Sequence, residues 1–160
     1  MPQPPRRPFH RPQARKQAAP RPHKTDGDRG WDEVAAWYDK LVGESGSDYH
    51  RHVILPAALR MLDPQPGESI IDVCCGQGVL VAPLLESGAA RVVGVDASAR
   101  LIKSAEARFG KNPKVSLVVA DACKPGPWAD ASHDAATCLM AVHDVPDAAA
   151  LFANTARCLK

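Results

Sequence analysis

A chain of 160 residues with 45% hydrophobic and 24% charged residues is expected to form one globular domain. Its five cysteines form no CxxC pair and no Cys/His spacing typical of zinc, and no apolar run approaches the roughly 20 residues that cross a bilayer. We therefore expect free thiols, no metal, no membrane span and a cytoplasmic protein, because a secretory signal is also lacking.

The net charge of +2 hides a segregated distribution. Residues 1–30 hold eight lysines and arginines against Asp26 and Asp28, together with seven of the fifteen prolines. Such a segment buries too little apolar surface to offset its ordering entropy, so we predict a disordered tail. A solubilising extension is the favoured interpretation, and contact with nucleic acid through counterion release is the alternative.

Two helices are predicted before the first strand. The first has apolar residues at helical spacing, namely Trp31, Val34, Tyr38 and Leu41. The second fits residues 49–62, and Pro56 inside it predicts a kink or a restart.

From residue 68 onward, strands and helices alternate. The apolar runs predict strands at 69–74, 91–96, 115–120 and 134–140, and the periodic segments predict helices at 79–87, 99–109 and 147–159. Ser98 is the expected N-cap of the second of these helices. This order predicts an α/β fold with a parallel, Rossmann-like sheet covered by helices on both faces.

The segment from Ile70 to Leu80 predicts a strand, a tight turn and a helix. Gly76 and Gly78 would let the backbone approach a ligand closely, which favours a nucleotide-like ligand. A tight turn without ligand is the alternative interpretation.

Three carboxylates follow or end neighbouring strands, namely Asp72, Asp96 and Asp121. The carboxyl ends of parallel strands share one edge, where ligands bind in doubly wound folds. Asp96 lies at the distance from the glycine loop that suits the hydroxyls of a ribose, but Val81 stands where a dinucleotide site needs glycine or alanine. An acidic edge favours a ligand that carries both a ribose and a positive charge, as S-adenosylmethionine does.

The motifs in this order resemble those of class I S-adenosylmethionine-dependent methyltransferases. Residues 72–78 (DVCCGQG) are similar to their first motif, residues 93–98 (VGVDAS) to the second and residues 120–122 (ADA) to the third. The Cys-Cys form of the loop resembles the branch that contains ubiquinone and menaquinone biosynthesis methyltransferases. The resemblance covers residues 31–160.

This resemblance implies roles for individual residues. Asp72 would orient the methionyl amino group, and Cys74, Gly76 and Gly78 would line the methionine and ribose through their backbone. Asp96, with the adjoining Ala97, would hold the ribose. Asp121 and Ala122 would meet the adenine, Leu139 would lie beside the sulfonium, and Tyr38 would either close over the cofactor or pack its own helix.

The chain departs from the family pattern at two places. Cys74 stands where glycine is common, and Lys160 lies where members continue into three further strands. Only the first four strands are therefore expected, and strand 134–140 would be an apolar edge. Either the chain is a shortened product or a partner covers this edge.

His143 is the candidate catalytic base, since it follows the fourth strand and can titrate near neutrality, and a pocket-lining role is its favoured alternative. The resemblance implies methyl transfer to an unidentified acceptor, with a small molecule favoured. A non-catalytic cofactor-binding remnant and a nicotinamide-dependent oxidoreductase domain are the rival hypotheses.

Overall fold

The computed structural model describes residues 30–43, 46–126 and 129–160. The predicted tail therefore lies outside the described residues except for Gly30. Within these ranges no helix has the length and apolar character that crossing a membrane requires.

Two helical segments precede the sheet, as predicted. Helix α1 spans Gly30–Val42, and α2 spans Leu55–Leu62 after a π-helical turn at His50–Ile54. The Leu55 amide donates to the His50 carbonyl five residues earlier. Pro56 follows at once, near the start of α2, and has no N–H to donate to the preceding turn. The helical backbone continues through it, so the predicted interruption is a change of helix type from π to α.

Four parallel strands form one sheet in the order β3-β2-β1-β4. They are β1 at Ser69–Val73, β2 at Arg91–Asp96, β3 at Val115–Val119 and β4 at Ala135–Thr137. The register pairs Asp72 with Gly94 on one side and with Thr137 on the other. The first three strands lie where the apolar runs predict them.

Strand β4 is much shorter than the predicted 134–140. Residues 138–140 leave the sheet, and Met140 takes a left-handed conformation with φ +55° that a strand cannot contain. The predicted apolar edge is also partly covered at its start. Leu159 forms a parallel bridge with His133, and the Lys160 amide donates to the His133 carbonyl at 3.0 Å.

Helices cover both faces of the sheet because alternate strand residues point to opposite sides. On one face, Ile71, Val93 and Val95 pack in a cluster with Leu151 of helix α5, which spans Ala148–Cys158. On the other face, Ile70 and Val92 pack with Leu55 of α2 and Leu84 of helix α3, which spans Val81–Glu86. Double-sided burial explains why the strands lack a polar alternation.

Helix α4 spans Ala99–Phe109, within the bounds that the sequence predicts. The Ser98 hydroxyl accepts from the Leu101 amide at 3.1 Å, which confirms the predicted N-cap. Helix α3 begins two residues later than predicted, because turns occupy residues 77–80.

Candidate functional site

The glycine loop leaves β1 through three residues with positive φ: Cys74 at +58°, Gly76 at +56° and Gly78 at +84°. A Cβ on Gly76 would meet no atom within 4 Å, whereas one on Gly78 would lie 3.2 Å from Phe109 and from Val81. The space beside Gly76 is therefore open. The lack of a side chain at Gly78 allows Phe109 of α4 to pack against the loop. The left-handed conformation at Cys74 explains why a glycine would suit this position.

Asp96 ends β2 and holds the glycine loop. Its two carboxylate oxygens accept from the Gly76 amide and the Ser98 amide, each at 2.8 Å. Burial raises the pKa of Asp96, and the two amides partly oppose this effect. A carboxylate has about four acceptor positions, so two positions remain for a ligand after these two bonds.

Asp72 is 2% exposed, and its neighbour across the sheet, Thr137, donates a hydroxyl hydrogen bond to it at 2.7 Å. Burial raises the pKa of Asp72 to about 7, against the lowering effect of the Thr137 hydroxyl, and the nearby Asp96 adds to the rise. The carboxyl is thus balanced between its neutral and charged forms near neutral pH. A cation bound close to it would favour the charged form.

Asp121 follows β3 in a more open setting, with 34% of its side chain exposed. Its limited burial would raise its pKa, but the Cys123 amide at 2.9 Å and the Lys124 ammonium at 3.3 Å outweigh this effect and lower the pKa. The pKa of Asp121 is therefore shifted in the opposite direction to the pKa values of Asp72 and Asp96, although all three residues lie at the same edge.

A cleft of about 660 Å³ opens at this edge of the sheet. Its size lies in the range of small-molecule and cofactor sites. Apart from Asp72 and Gly78, the predicted site residues all line the cleft: Tyr38, Cys74, Gly76, Asp96, Ala97, Asp121, Ala122, Leu139 and His143. The structure thus brings together residues that are more than a hundred positions apart in the chain, from Tyr38 to His143.

One wall of the cleft comes from α1, and the sequence predicts only its Tyr38 part. The rings of Trp31 and Tyr38 meet edge to face with centroids 5.3 Å apart, and both residues line the cleft. The sequence pattern placed Trp31 in helix packing alone. A tryptophan and a tyrosine seven residues apart on one helix share a face, which is the signal that could have identified this wall.

Asp32 also lines the cleft, and no sequence motif pointed to it. Its carboxylate accepts from the Ser98 hydroxyl at 2.5 Å and from the Arg100 amide at 3.1 Å. It therefore supports the N-terminus of α4 from another helix, where a negative charge is favourable. Asp32 and Asp96 both bring a carboxyl group to the lining of the cleft.

The opposite wall follows β4. Leu139 and Met140 line it, and a short 3₁₀ turn at Val142–Asp144 continues it. The Nε2 atom of His143 lies 3.4 Å from a carboxylate oxygen of Asp144. The His143 side chain is 69% exposed, so it stands at the open mouth of the cleft.

Two cysteines meet where β1 and β4 end. The hydrogen bond between the thiols of Cys74 and Cys138 raises the pKa of Cys74 far above its ordinary value, with burial adding to the rise, and lowers the pKa of Cys138. All five cysteines are free, as the sequence predicts. The Cys74 thiol is therefore protonated, and it adds no negative charge to the cleft.

A second groove of about 430 Å³ adjoins the cleft and shares Leu139 and Met140 with it. The remaining lining residues come from 53–62 and from the β4 segment, and none of them carries a charge. An uncharged, apolar ligand group would be the preferred occupant of such a groove.

These features together define the chemistry of the site. Carboxylates line a partly enclosed cleft, glycine backbone leaves room beside them, and aromatic rings form one wall. This arrangement suits a ligand with hydroxyl groups, a flat ring and a positive charge. No group of three or more potential metal ligands occurs in the described part of the chain.

Residues 70–160 match a protein family described as a methyltransferase domain. The demethylmenaquinone methyltransferase of Corynebacterium kroppenstedtii is 38% identical over 104 residues, which are 65% of this chain and 42% of that protein. The 23S rRNA (uracil(1939)-C(5))-methyltransferase RlmD of Dechloromonas aromatica is 49% identical over 51 residues, or 32% of this chain and 12% of that protein.

The fold also matches solved structures. An S-adenosylmethionine-dependent methyltransferase from Mesorhizobium loti superimposes with a TM-score of 0.59 at 32% identity, covering 66% of this chain and 48% of that one. The chain thus spans less than half the length of each of these proteins. The two curated relatives act on different kinds of acceptor, so their names do not identify one for this chain.

Proposed function

The chain belongs to the methyltransferase domain family, in its class I S-adenosylmethionine-dependent form, and from this premise we propose that it transfers a methyl group to an uncharged or weakly polar small molecule. The family and the fold imply S-adenosylmethionine as cofactor. The observation that carries the proposal is the convergence of Asp96, the glycine loop and the post-β4 residues on one cleft.

The residues present fit this cofactor. Asp96 keeps two acceptor positions at the cleft after binding Gly76 and Ser98, and these suit the two hydroxyls of a ribose. The absence of a side chain at Gly76 leaves space beside them. Asp121 and Ala122 would meet the adenine, since they follow the strand next to β2.

The cationic end of the cofactor would lie towards β1 and β4. There Asp72 would orient the amino group from its buried position, and the Cys74 backbone and Leu139 would border the sulfonium. S-adenosylmethionine, when bound, supplies an electrophilic methyl group. The chain would hold the acceptor in line with that group and keep water away, and both effects depend on precise positioning.

The apolar groove supports a small-molecule acceptor. It meets the cleft at Leu139 and Met140, so a ligand seated in it would reach the methyl-donating end of the cleft. Tyr38 and Trp31 would cover the cofactor from the other side. We assign His143 to the lining of the acceptor side, because its side chain is 69% exposed at the open mouth of the cleft.

Titration calorimetry of the full chain with S-adenosylmethionine and with S-adenosylhomocysteine tests the proposal. We expect one site per chain for each ligand, and competition between the two. A parallel fluorescence titration with a reduced nicotinamide cofactor is expected to show no binding. A folded chain that gives no heat with either adenosyl ligand would contradict the proposal.

One observation favours a second candidate, a domain that binds the cofactor without transferring its methyl group. The cleft wall after β4 is half exposed, as at Met140 with 51%. An assay of labelled methyl transfer to a panel of small-molecule acceptors distinguishes the two candidate functions. Binding without transfer to any acceptor in the panel would favour this second candidate.

A further inference from the structure

Helix α1 supplies Trp31, Asp32 and Tyr38 to the cleft, yet it belongs to none of the strand–helix units that form the sheet. Its position must therefore come from tertiary contacts. Polar contacts attach α1 to α4 near both ends of α4.

The first contact lies at the N-terminus of α4. The Ser98 hydroxyl and the Arg100 amide both donate to the Asp32 carboxylate, and the Arg100 guanidinium donates to the Asp32 carbonyl at 3.1 Å. This contact holds the beginning of α1.

The second contact lies in the last turn of α4 and involves three elements. Arg108 donates through one guanidinium nitrogen to the Asp39 carboxylate of α1 at 2.5 Å. Through the other nitrogen it donates to the carbonyl of Gln77 at 3.1 Å. Gln77 lies between the two glycines of the loop, so one planar side chain joins the wall helix to the cofactor loop.

The spacing and burial of these groups distinguish them from a surface ion pair. Asp32 and Asp39 are seven residues apart, which places them on one face of α1, towards α4. The side chains of Arg108 and Asp39 are 17% and 29% exposed. A surface ion pair contributes little, but a charge-assisted bond in a partly buried setting is stronger and directional.

The effect on the cleft follows from what Arg108 touches. It does not line the cleft. Its bond to the Gln77 carbonyl limits rotation of the Gln77–Gly78 peptide, in the same loop as the Gly76 amide that donates to Asp96 at 2.8 Å. A change at Arg108 would therefore reach both the loop and the aromatic wall without removing a ligand contact.

We propose that Arg108 is a positioning residue of the cofactor cleft, which holds helix α1 through Asp39 and the glycine loop through the Gln77 carbonyl in one arrangement. The inference rests on the proposed function, since its readout is cofactor affinity. The guanidinium is required because a lysine ammonium lacks the planar fork that reaches two acceptors in fixed directions.

The test compares four variants of the full chain by calorimetry with S-adenosylhomocysteine and by thermal unfolding. Arg108→Gln and Asp39→Asn remove the contact. The double variant Asp39→Arg/Arg108→Asp reverses the ion pair, but its carboxylate at position 108 has no proton to donate to the Gln77 carbonyl. Arg157→Gln is the matched control, because Arg157 forms an ion pair of equal length with Asp130 on the surface.

We expect Arg108→Gln to weaken S-adenosylhomocysteine binding about tenfold, the loss that follows from one charge-assisted hydrogen bond. The reversed pair is expected to recover the melting temperature of the wild type but not its affinity. Arg157→Gln is expected to match the wild type in affinity. A structural ion pair alone would instead recover affinity together with stability in the reversed pair.

Three results would overturn the inference. The first is a dissociation constant for Arg108→Gln within about twofold of the wild type. The second is full recovery of affinity in the reversed pair, which would show that the loop carbonyl plays no part. The third applies if Arg108→Gln does not fold: it is an affinity of Asp39→Asn for S-adenosylhomocysteine equal to that of the wild type.

Failure of this inference differs from failure of the proposed function. A wild-type chain that binds no adenosyl ligand would overturn the proposed function as well. Equal binding by the wild type and all variants would overturn only this inference.

Discussion

The cleft has two unlike halves. The half formed by β1 and β2 is closed, with Asp96 in its lining at 9% exposure and Asp72 buried beneath the lining at 2%. The half that follows β3 and β4 is open, with 34% of the Asp121 side chain and 69% of the His143 side chain exposed. All four residues lie at one edge of the same sheet.

The two halves also differ in how they shift the pKa values of their carboxyl groups. Burial raises the pKa of Asp72 and Asp96, whereas the Cys123 amide and Lys124 lower the pKa of Asp121 against its slight burial. Burial destabilises the charged form of a carboxylate, and a cationic ligand can offset this effect. An exposed carboxylate stays hydrated, so it gains less from the ligand. The closed half should therefore contribute more to cofactor affinity than the open half, where His143 faces the acceptor side.

The largest expected effect is at Asp96. Asp96→Asn loses the charge and keeps one acceptor oxygen, so its NH2 group would face either the Gly76 or the Ser98 amide. We expect cofactor affinity to fall about a hundredfold through the weakened ribose hydrogen bonds and the lost loop contact. Calorimetry with S-adenosylhomocysteine measures this loss. Asp96→Ala would also leave the Gly76 and Ser98 amides without their acceptor, so it should lower stability as well as affinity.

At Asp72 the expected effect depends on pH. The folded pKa of about 7 lies above the ordinary value of 3.8, so between these two pH values the folded chain holds a proton that the unfolded chain has released. The contribution of Asp72 to stability is thus fully present below about pH 4, and it is lost as pH rises to about 7. Relative to Asp72→Asn, the wild type should lose about 1.4 kcal/mol per pH unit in this window.

Denaturant unfolding of both proteins at several pH values measures this difference. Cofactor binding should change with pH in the opposite sense, because the charged carboxylate attracts the amino group, so wild-type affinity should rise from pH 6 to pH 8. A stability difference between the two proteins that does not change with pH would contradict the raised pKa of Asp72.

A smaller effect is expected at Asp121. Because its side chain is partly exposed and already paired with Lys124, we expect Asp121→Asn to weaken cofactor binding by only about threefold. The same calorimetric assay applies. A loss at Asp121 as large as that at Asp96 would remove the distinction between the two halves of the cleft.

The smallest effect on the cofactor is expected at His143. His143→Gln should leave affinity for S-adenosylhomocysteine unchanged, because the side chain lies at the open mouth of the cleft. Once an acceptor is known, the same substitution should raise its KM more than it lowers kcat. A fall in kcat alone, together with loss of its dependence on pH near neutrality, would instead assign His143 as the base.

Much of the fold could be predicted because its signals are local. The bounds of β2 and α4 follow from an uninterrupted apolar run and from a capped periodic segment, and the structure has both at the predicted residues. The bounds of β4 could not be predicted in this way. Residues 138–140 are as apolar as a strand, but they turn away from β1 to form a cleft wall.

The sequence by itself determined the order of strands and helices, the glycine loop and the placing of three carboxylates at one edge, because each depends on residues that are neighbours in the chain. The tertiary structure decided which carboxylates are buried and how the wall helix is held. Thr137 meets Asp72, Asp32 meets Ser98 and Arg108 meets Asp39 across separations of 65 to 69 positions. Contacts over such distances arise only when the sheet has brought the segments together, so no local pattern can encode them.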